Sequence, residues 1–314
     1  MSMGLLPPAA STLAPRVDAL FYAVLAVTGT VAIAITVLIV VFSIRYRAAS
    51  TVMRTGGPPR RQARVRRWLE ITWTAIPLLL FLAAFGWAAN LYVDRSTAPA
   101  NAMEVAVVAK QWMWKLEHRN GVREIDELHV PRGVPVKLLL TSQDVIHSFF
   151  VPAFRVKQDV LPGRYTLLWF TATETGRFHL FCAEYCGTDH AGMRGGVVVM
   201  EPADFARWLA AQPPGTDMEQ RGAALFRALG CSGCHGASAA VRAPDLAGVY
   251  GRPVPLADGT TVVADDRYLR DSILDPKKEV AAGYAPVMPS FAGQVSEEDI
   301  LDLTAYLKSL ARDR

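Results

Sequence analysis

Two stretches near the start of the chain, Ala19 to Ile44 and Ile71 to Val93, contain no charged residue. Each exceeds the roughly 20 apolar residues needed to cross the hydrocarbon core of a bilayer. A core helix of a globular domain rarely stays apolar on every face for so long, so both are predicted to be transmembrane helices. The pattern changes after Asp94. Runs such as MEVAVVAKQWMWKLEH, VPVKLLLTS, YTLLWFTAT, GRFHLFCAEYC and RGGVVVM alternate or are rich in β-branched residues, and PRGVP, LPGR and ETG separate them. Strands punctuated by glycine and proline predict an antiparallel sandwich or barrel. Downstream, ADFARWLAAQ predicts a short helix and PPGT a linker. From Asp217 the spacing is helical: DMEQRGAALFRALG and SEEDILDLTAYLKSLARDR flank a loop-rich middle, and Ser296 with Asp299 suits the N-cap of the last helix.

The predicted organisation has five parts. A tail over 1–18 precedes a hairpin over 19–97, with spans at about 19–44 and 71–93 and a loop at 45–67. A β domain over 98–202, a linker region over 203–216 and a small all-α domain over 217–314 follow.

Charge orients the hairpin. Arg45, Arg47, Arg54, Arg60, Arg61, Arg64, Arg66 and Arg67 lie between the spans with no Asp or Glu among them, whereas the tail has one basic residue, Arg16. By the positive-inside rule the loop is cytoplasmic and both termini face the other side. The first span is too long for a signal-peptide core and lacks an adjacent small-residue cleavage site, so it is expected to remain as an anchor. Without those eight arginines the formal net charge of +4 becomes −4. The basic balance is therefore a topology signal and not a polyanion-binding surface. A lipid bilayer is expected as a partner, and nucleic acid is not.

Candidate chemistry lies in two places. CSGCH, Cys231 to His235, has the C-x-x-C-H spacing of c-type haem attachment, with two thioether-forming thiols and one iron-ligating histidine. Met288 in PVMPSF is the only methionine after Met218 and is the candidate for the sixth iron position. His/Met ligation fills both axial positions, which suits electron transfer. APDLAGVYGR between these two residues resembles the stretch that packs on the histidine side in small class I cytochromes c, which implies that Pro244 would accept the ring N–H of His235 through its carbonyl. The second place is CAEYCGTDHAGM, with Cys182, Cys186, His190 and Met193, to which DVIHSFFVP adds His147. Thiolate, imidazole and thioether form the ligand set of copper electron-transfer sites. One Cys with two His would hold one copper, and a second Cys allows two coppers bridged by sulfur. A zinc site using the two cysteines and two histidines, or a Cys182–Cys186 disulfide, are the alternatives.

Taken in order, the two spans with EITWTAIP, then QWMW, DVIHSFFVP, DVLPGR and CAEYCGTDHAGM, resemble subunit II of the haem–copper cytochrome c oxidases. The haem-type segment behind them resembles the fused form found in caa-type bacterial enzymes. The resemblance covers nearly the whole chain apart from the tail and the Pro-rich linker.

That resemblance implies a multi-domain protein of the bacterial plasma membrane: a two-helix hairpin, a cupredoxin-like domain and a class I cytochrome c domain, the last two outside. It implies a binuclear copper centre (CuA) on His147, Cys182, the Glu184 carbonyl, Cys186, His190 and Met193. It implies covalent haem c on Cys231, Cys234 and His235 with Met288 as axial ligand. The Glu184 side chain would share a magnesium ion with the large subunit, and Trp112 would be where electrons reach copper. Glu70, expected to open the second span where the helix dipole favours a carboxylate by roughly 0.3–1 kcal/mol, would lie near the mouth of a proton pathway. Asp159 and Arg164 would help form the contact with the catalytic subunit. Trp114 is expected in the core, and His118, His129 and His179 are expected not to be ligands.

The implied function is electron input to a terminal oxidase, from cytochrome c through haem c and CuA to a haem–copper subunit I that reduces O2 to water. Nothing in the chain could hold the oxygen-reducing haem–copper pair, so the oxidoreductase label belongs to the complex. The same wiring in a nitric oxide reductase is one alternative. A membrane-anchored copper carrier for assembly is another, which has no use for a covalent haem.

Overall fold

The structure, a computed structural model, describes residues 6–47, 60–212, 216–236 and 243–310. Arg54, much of the Arg-rich loop and Pro213–Gly215 of the expected linker lie outside the described residues. The chain divides into two compact units, Leu13–Thr97 and Met1–Thr12 with Ala98–Arg314.

The first unit is a pair of helices, α1 (Ala14–Arg45) and α2 (Arg60–Ser96). Both are long and apolar enough to cross a membrane. Their large apolar side chains point outward, Ile33 and Leu79 being 66% and 65% exposed, as expected where lipid is the solvent. Threonines inside the apolar stretch satisfy their hydroxyls on the preceding turn, Thr30 to Ala26 O at 2.7 Å and Thr36 to Ala32 O at 2.8 Å. Arg16 and Asp94 pair at 2.6 Å, joining the start of α1 to the end of α2.

Both helices outrun their uncharged stretches, which corrects the reading of Glu70. It does not open a helix. It lies ten residues inside α2, beyond the first turn over which the dipole acts, and pairs with Arg66 at 3.0 Å.

The second unit contains a sandwich followed by helices. The strands are β1 (Met103–Lys110), β2 (Met113–His118), β3 (Arg123–Ile125), β4 (Glu127–Pro131), β5 (Pro135–Ser142), β6 (His147–Val151), β7 (Val156–Val160), β8 (Thr166–Thr171), β9 (Gly176–Cys182) and β10 (Arg194–Met200). One sheet has the order β3-β2-β1-β5-β8, the other β4-β10-β9-β6-β7. The expected antiparallel pairing holds except for β1 with β5 and β4 with β10, which are parallel. The chain changes sheets between β3 and β4, so strands distant in sequence become neighbours running the same way.

The tail before α1 belongs to this unit. Ala10 N donates to Ala153 O at 2.9 Å, Thr12 N to Thr171 O at 3.0 Å, and Thr173 N returns a bond to Ala10 O at 2.9 Å. Ala10 and Ser11 are almost fully buried.

The helices are α3 (Pro202–Ala211), α4 (Met218–Ala228), α5 (Ser232–His235), α6 (Asp266–Leu274) and α7 (Glu297–Ser309). Trp208 of α3 stacks on His129 of β4 with centroids 4.2 Å apart, so this stretch of the expected linker region packs on the sandwich. α4 and α7 cross at Gly222, where a Cβ would lie 2.0 Å from Asp302 O. Only glycine permits that approach, and Phe226 then meets Tyr306 at 5.3 Å. Ser296 and Asp299 form the reciprocal capping box of α7.

The outer face of β1 is also covered. Ala106 and Val108, with Leu139 of β5, pack against Met218 of α4 and Leu301 of α7. Successive strand residues point to opposite faces, so β1 is buried on both and carries apolar residues at nearly every position.

Candidate metal centre and haem pocket

The sandwich gathers the sulfur and imidazole donors at one end. His147 begins β6 and Cys182 ends β9, while the loop 183–193 carries the rest. Backbone bonds hold that loop: Cys182 N to Met193 O at 3.2 Å, Ala183 N to Ser148 O at 2.9 Å and His190 N to Gly187 O at 3.1 Å. Gly187 sits at φ +119°, and a Cβ there would lie 2.8 Å from Gln111 Nε2, so its lack of a side chain lets the loop close against Gln111 and Trp112.

Two sulfurs form the centre. Cys182 Sγ and Cys186 Sγ are 3.7 Å apart, both as free thiols. His147 Nδ1 lies 3.9 Å from Cys182 Sγ, and His190 Nδ1 lies 3.4 Å from Cys186 Sγ. Met193 Sδ is 3.9 Å from Cys186 Sγ, and the Glu184 carbonyl is 3.2 Å from Cys182 Sγ. The donors of His147, Cys182 and Cys186 lie within 4.8 Å of one another. His147, Cys186 and Met193 are at most 2% exposed. Soft sulfur with imidazole, shielded from water, suits copper. A four-ligand zinc site would leave the thioether and the carbonyl unused.

The thiols are electrically unlike. Burial raises the pKa of both. At Cys182 burial is the largest single influence, but hydrogen bonds with His147, the Glu184 and Ser148 backbone and Cys186 together outweigh it and bring the thiol down to about 6. At Cys186 the neighbouring Cys182 charge adds to burial and pushes it up to about 12. Two thiolates this close need a positive charge between them, which a metal supplies.

Sequence reasoning missed the residues behind this ring. Asp144 Oδ1 lies 2.9 Å from His147 Nε2, which leaves Nδ1 turned toward sulfur. Gln111 N donates to Asp144 Oδ2 at 2.8 Å, and Gln111 Nε2 donates to Cys186 O at 2.7 Å. Trp112, half-buried, donates from Nε1 to the same carbonyl at 3.2 Å. The signals were an acid three residues before His147 and an amide next to Trp112, both too common to stand out.

The other expected residues are placed as follows. The Glu184 side chain is exposed, and so is Arg164. Asp159 accepts from Ser148 Oγ at 2.8 Å, which holds its carboxyl below the usual range. Trp114 is fully buried with its ring edge toward Phe149 at 5.2 Å. His118 and His129 share the carboxylate of Glu124 away from the sulfurs, and His179 is exposed on β9. Glu70 lies in the other unit.

The helical part forms a half-open pocket of about 520 Å³. Cys231, Cys234 and His235 come together on one helical turn, with His235 N bonded to Cys231 O at 3.0 Å. All three line the pocket, and so does Met288 from the later loop. His235 Nδ1 lies 2.9 Å from Pro244 O, which fixes the ring and frees the other nitrogen. The remaining wall is largely apolar, with Phe226, Tyr268, Ile273, Phe291 and Leu303 among its residues. A paired-thiol turn and a methionine lining one large, mostly apolar space fit a covalently held planar cofactor.

Comparison with known proteins matches the chain over both of these domains. Residues 105–201 match the family profile described as cytochrome C oxidase subunit II, periplasmic domain, and residues 219–311 match that of cytochrome c. The chain is 31% identical over 288 residues to cytochrome c oxidase subunit 2 of Alkalihalophilus pseudofirmus, covering 87% of this chain and 82% of that protein. It is 36% identical over 160 residues to the alternative cytochrome c oxidase subunit 2 of Bradyrhizobium diazoefficiens, covering 41% of this chain and 58% of that protein. Among solved structures, the periplasmic domain of subunit II of cytochrome oxidase from Bradyrhizobium japonicum is similar at 32% identity and a TM-score of 0.35, over 36% of this chain and 95% of that one.

Proposed function

Since the chain belongs to the cytochrome c oxidase subunit 2 family, with a cytochrome c domain behind its periplasmic domain, we propose that it is the electron-input subunit of a terminal respiratory oxidase, feeding a haem–copper subunit that reduces O2 to water. Electron transfer within an oxidase complex is its role, and its two domains are those of copper and haem c proteins. The finer reading is a copper pair on His147, Cys182, the Glu184 carbonyl, Cys186, His190 and Met193, with haem c on Cys231, Cys234, His235 and Met288. The observation that carries it is the convergence of all six copper donors around two sulfurs 3.7 Å apart.

Bound copper and haem c supply reversible one-electron couples. The residues of the chain determine how these are held. Cys182 and Cys186 offer two sulfurs to share, while Asp144 and the Gln111 and Trp112 side chains fix His147 and the Cys186 carbonyl. Rigid, dry ligands change little between two charge states, which favours fast transfer. Trp112, against that carbonyl and half-open to solvent, is the proposed point where electrons reach copper. The exposed Glu184 carboxylate is the proposed half of a magnesium site shared with the large subunit, with Asp159 and Arg164 in the contact around it. Glu70 on α2 is the proposed point of proton uptake.

The tail bonded to the sandwich supports the topology. Residues preceding α1 and residues following α2 meet in one unit, so both ends of the hairpin are on one side, with the arginines on the other.

Purification of the intact membrane complex tests the reading. Paired copper and one haem c on this chain, with oxygen uptake driven by reduced cytochrome c, is the expected outcome. Zinc in place of copper would overturn the ligand assignment. Trp112→Ala is expected to slow copper reduction while both cofactors stay bound.

A further inference from the structure

The haem domain reaches toward the copper-site residues through one side chain. Glu298 lies in the first turn of α7, just after the loop that brings Phe291 to the haem cavity. Its carboxylate leaves its own domain. Oε2 accepts from Gln143 Nε2 at 2.6 Å and Oε1 accepts from Lys115 Nζ at 2.9 Å. Lys115 Nζ also donates to Gln143 Oε1 at 3.3 Å, and Gln143 N is bonded to Ala109 O at 3.0 Å. Gln143 is thus held at both ends, and one of its holders belongs to the haem domain.

The next residue is Asp144. It holds His147 Nε2 at 2.9 Å with one oxygen and Gln111 N at 2.8 Å with the other. Gln111 in turn grips the Cys186 carbonyl. A continuous set of hydrogen bonds and one peptide link therefore runs from α7 to two of the sulfur-site residues. Other polar contacts between the two domains, among the described residues, include Arg119 with Glu219 at 2.5 Å, Lys308 with Glu104 at 3.0 Å, Arg221 with Glu117 and Arg270 Nη1 with Gly163 O at 2.6 Å, and none of these four partners in the sandwich adjoins Asp144.

We propose that Glu298 is a positioning residue for the copper site: while the haem domain is docked it holds Gln143, and through Asp144 it sets the orientation of His147. The backbone-held copper site is thereby tightened when its electron donor is seated. This rests on the reading that His147, Cys182 and Cys186 hold copper. Outer partners of metal ligands matter in this way because they fix the ring that donates.

The test uses the full chain in its complex, comparing copper absorption and electron paramagnetic resonance spectra and the rate of copper loss to a chelator. Glu298→Ala is expected to shift the copper hyperfine pattern and to speed copper loss by up to about 10-fold. Glu298→Gln keeps an oxygen for Gln143 Nε2 and is expected to restore the wild-type spectrum. Glu219→Ala breaks an ion pair of the same interface away from Gln143 and is expected to leave the spectrum unmoved. A wild-type spectrum in Glu298→Ala would overturn the proposal, and so would an equal shift in Glu219→Ala, which would mean general loosening. If the unaltered chain takes up no copper, the functional reading fails; if it takes up copper and only Glu298→Ala is silent, this inference alone fails.

Discussion

The copper-type site and the haem pocket of one chain are built in opposite ways. At the first, the end of β9 with the loop 183–193, and one distant histidine, bring their donors to within 4 Å of a neighbour, and backbone bonds hold them there. At the second, the ligand turn and Met288 line a half-open pocket of about 520 Å³. A site made of backbone geometry can stand ready before its metal arrives. A pocket of that size, lined by Phe226, Tyr268, Ile273, Phe291 and Leu303, leaves a small domain with little apolar packing of its own. The sandwich should therefore fold without copper, whereas the helical domain should depend on haem.

The largest effect should follow from blocking haem attachment. In the double variant Cys231→Ala/Cys234→Ala, the apolar side chains lining the pocket lose the group they would pack on and meet water instead, a large loss for a small domain whose whole stability is about 5–15 kcal/mol. Proteolysis is expected to degrade the region 217–310 while the sandwich stays intact. Equal protection of both regions would break the contrast.

Cys186→Ser probes the other side. The paired-copper signal should vanish, yet melting of the metal-free sandwich should shift by only about 1 kcal/mol, because one small buried group replaces another. Global unfolding would show that copper is as structural as haem.

Gly187→Ala sharpens the point about preformed geometry. Its φ of +119° and the Gln111 side chain 2.8 Å from the new Cβ both oppose the change. A loss of about 1–3 kcal/mol in stability is expected, with weaker copper binding in titration. Wild-type affinity would mean that the loop has room to spare.

The smallest effect concerns the seam between the two regions. Burial pushes the Glu104 carboxyl up, but the Lys308 and Lys137 charges outweigh it and hold it at about 2 against an ordinary 4.5. Because the folded value is the lower one, this pairing stabilises fully above about pH 4.5 and is lost as the pH falls toward 2. Glu104→Gln should remove a screened contribution of about 1 kcal/mol and flatten that acid limb in melting curves.

Much of this was legible because it depends on local spacing. Uncharged runs marked α1 and α2, C-x-x-C-H marked the haem turn, and the cysteines four apart marked the sulfur loop. Glu70 was misplaced because the uncharged run was taken for the helix, although arginines sustain a helix well and α2 begins at Arg60. Asp144 and Gln111 were missed because they touch the candidate ligands His147 and Cys186 and are not themselves sulfur or imidazole. The docking of the haem domain has no local signature at all, since Lys115 and Glu298 are 183 residues apart. Its one trace is β1, where Ala106 and Val108 make both faces apolar, and that pattern does not say what covers the second face.

The tail bonded to the sandwich has a consequence for biosynthesis. Ser11 Oγ donates to Phe154 O across 143 residues, and the backbone bonds of Ala10 and Thr12 close onto Ala153 and Thr171. These residues leave the ribosome before the first helix, while their partners emerge only after the second. The early segment must wait, unpaired, through the insertion of both spans. Its last bonds can form only if both ends of the hairpin lie on the same side of the membrane, so a chain in which one span failed to cross cannot complete its sandwich.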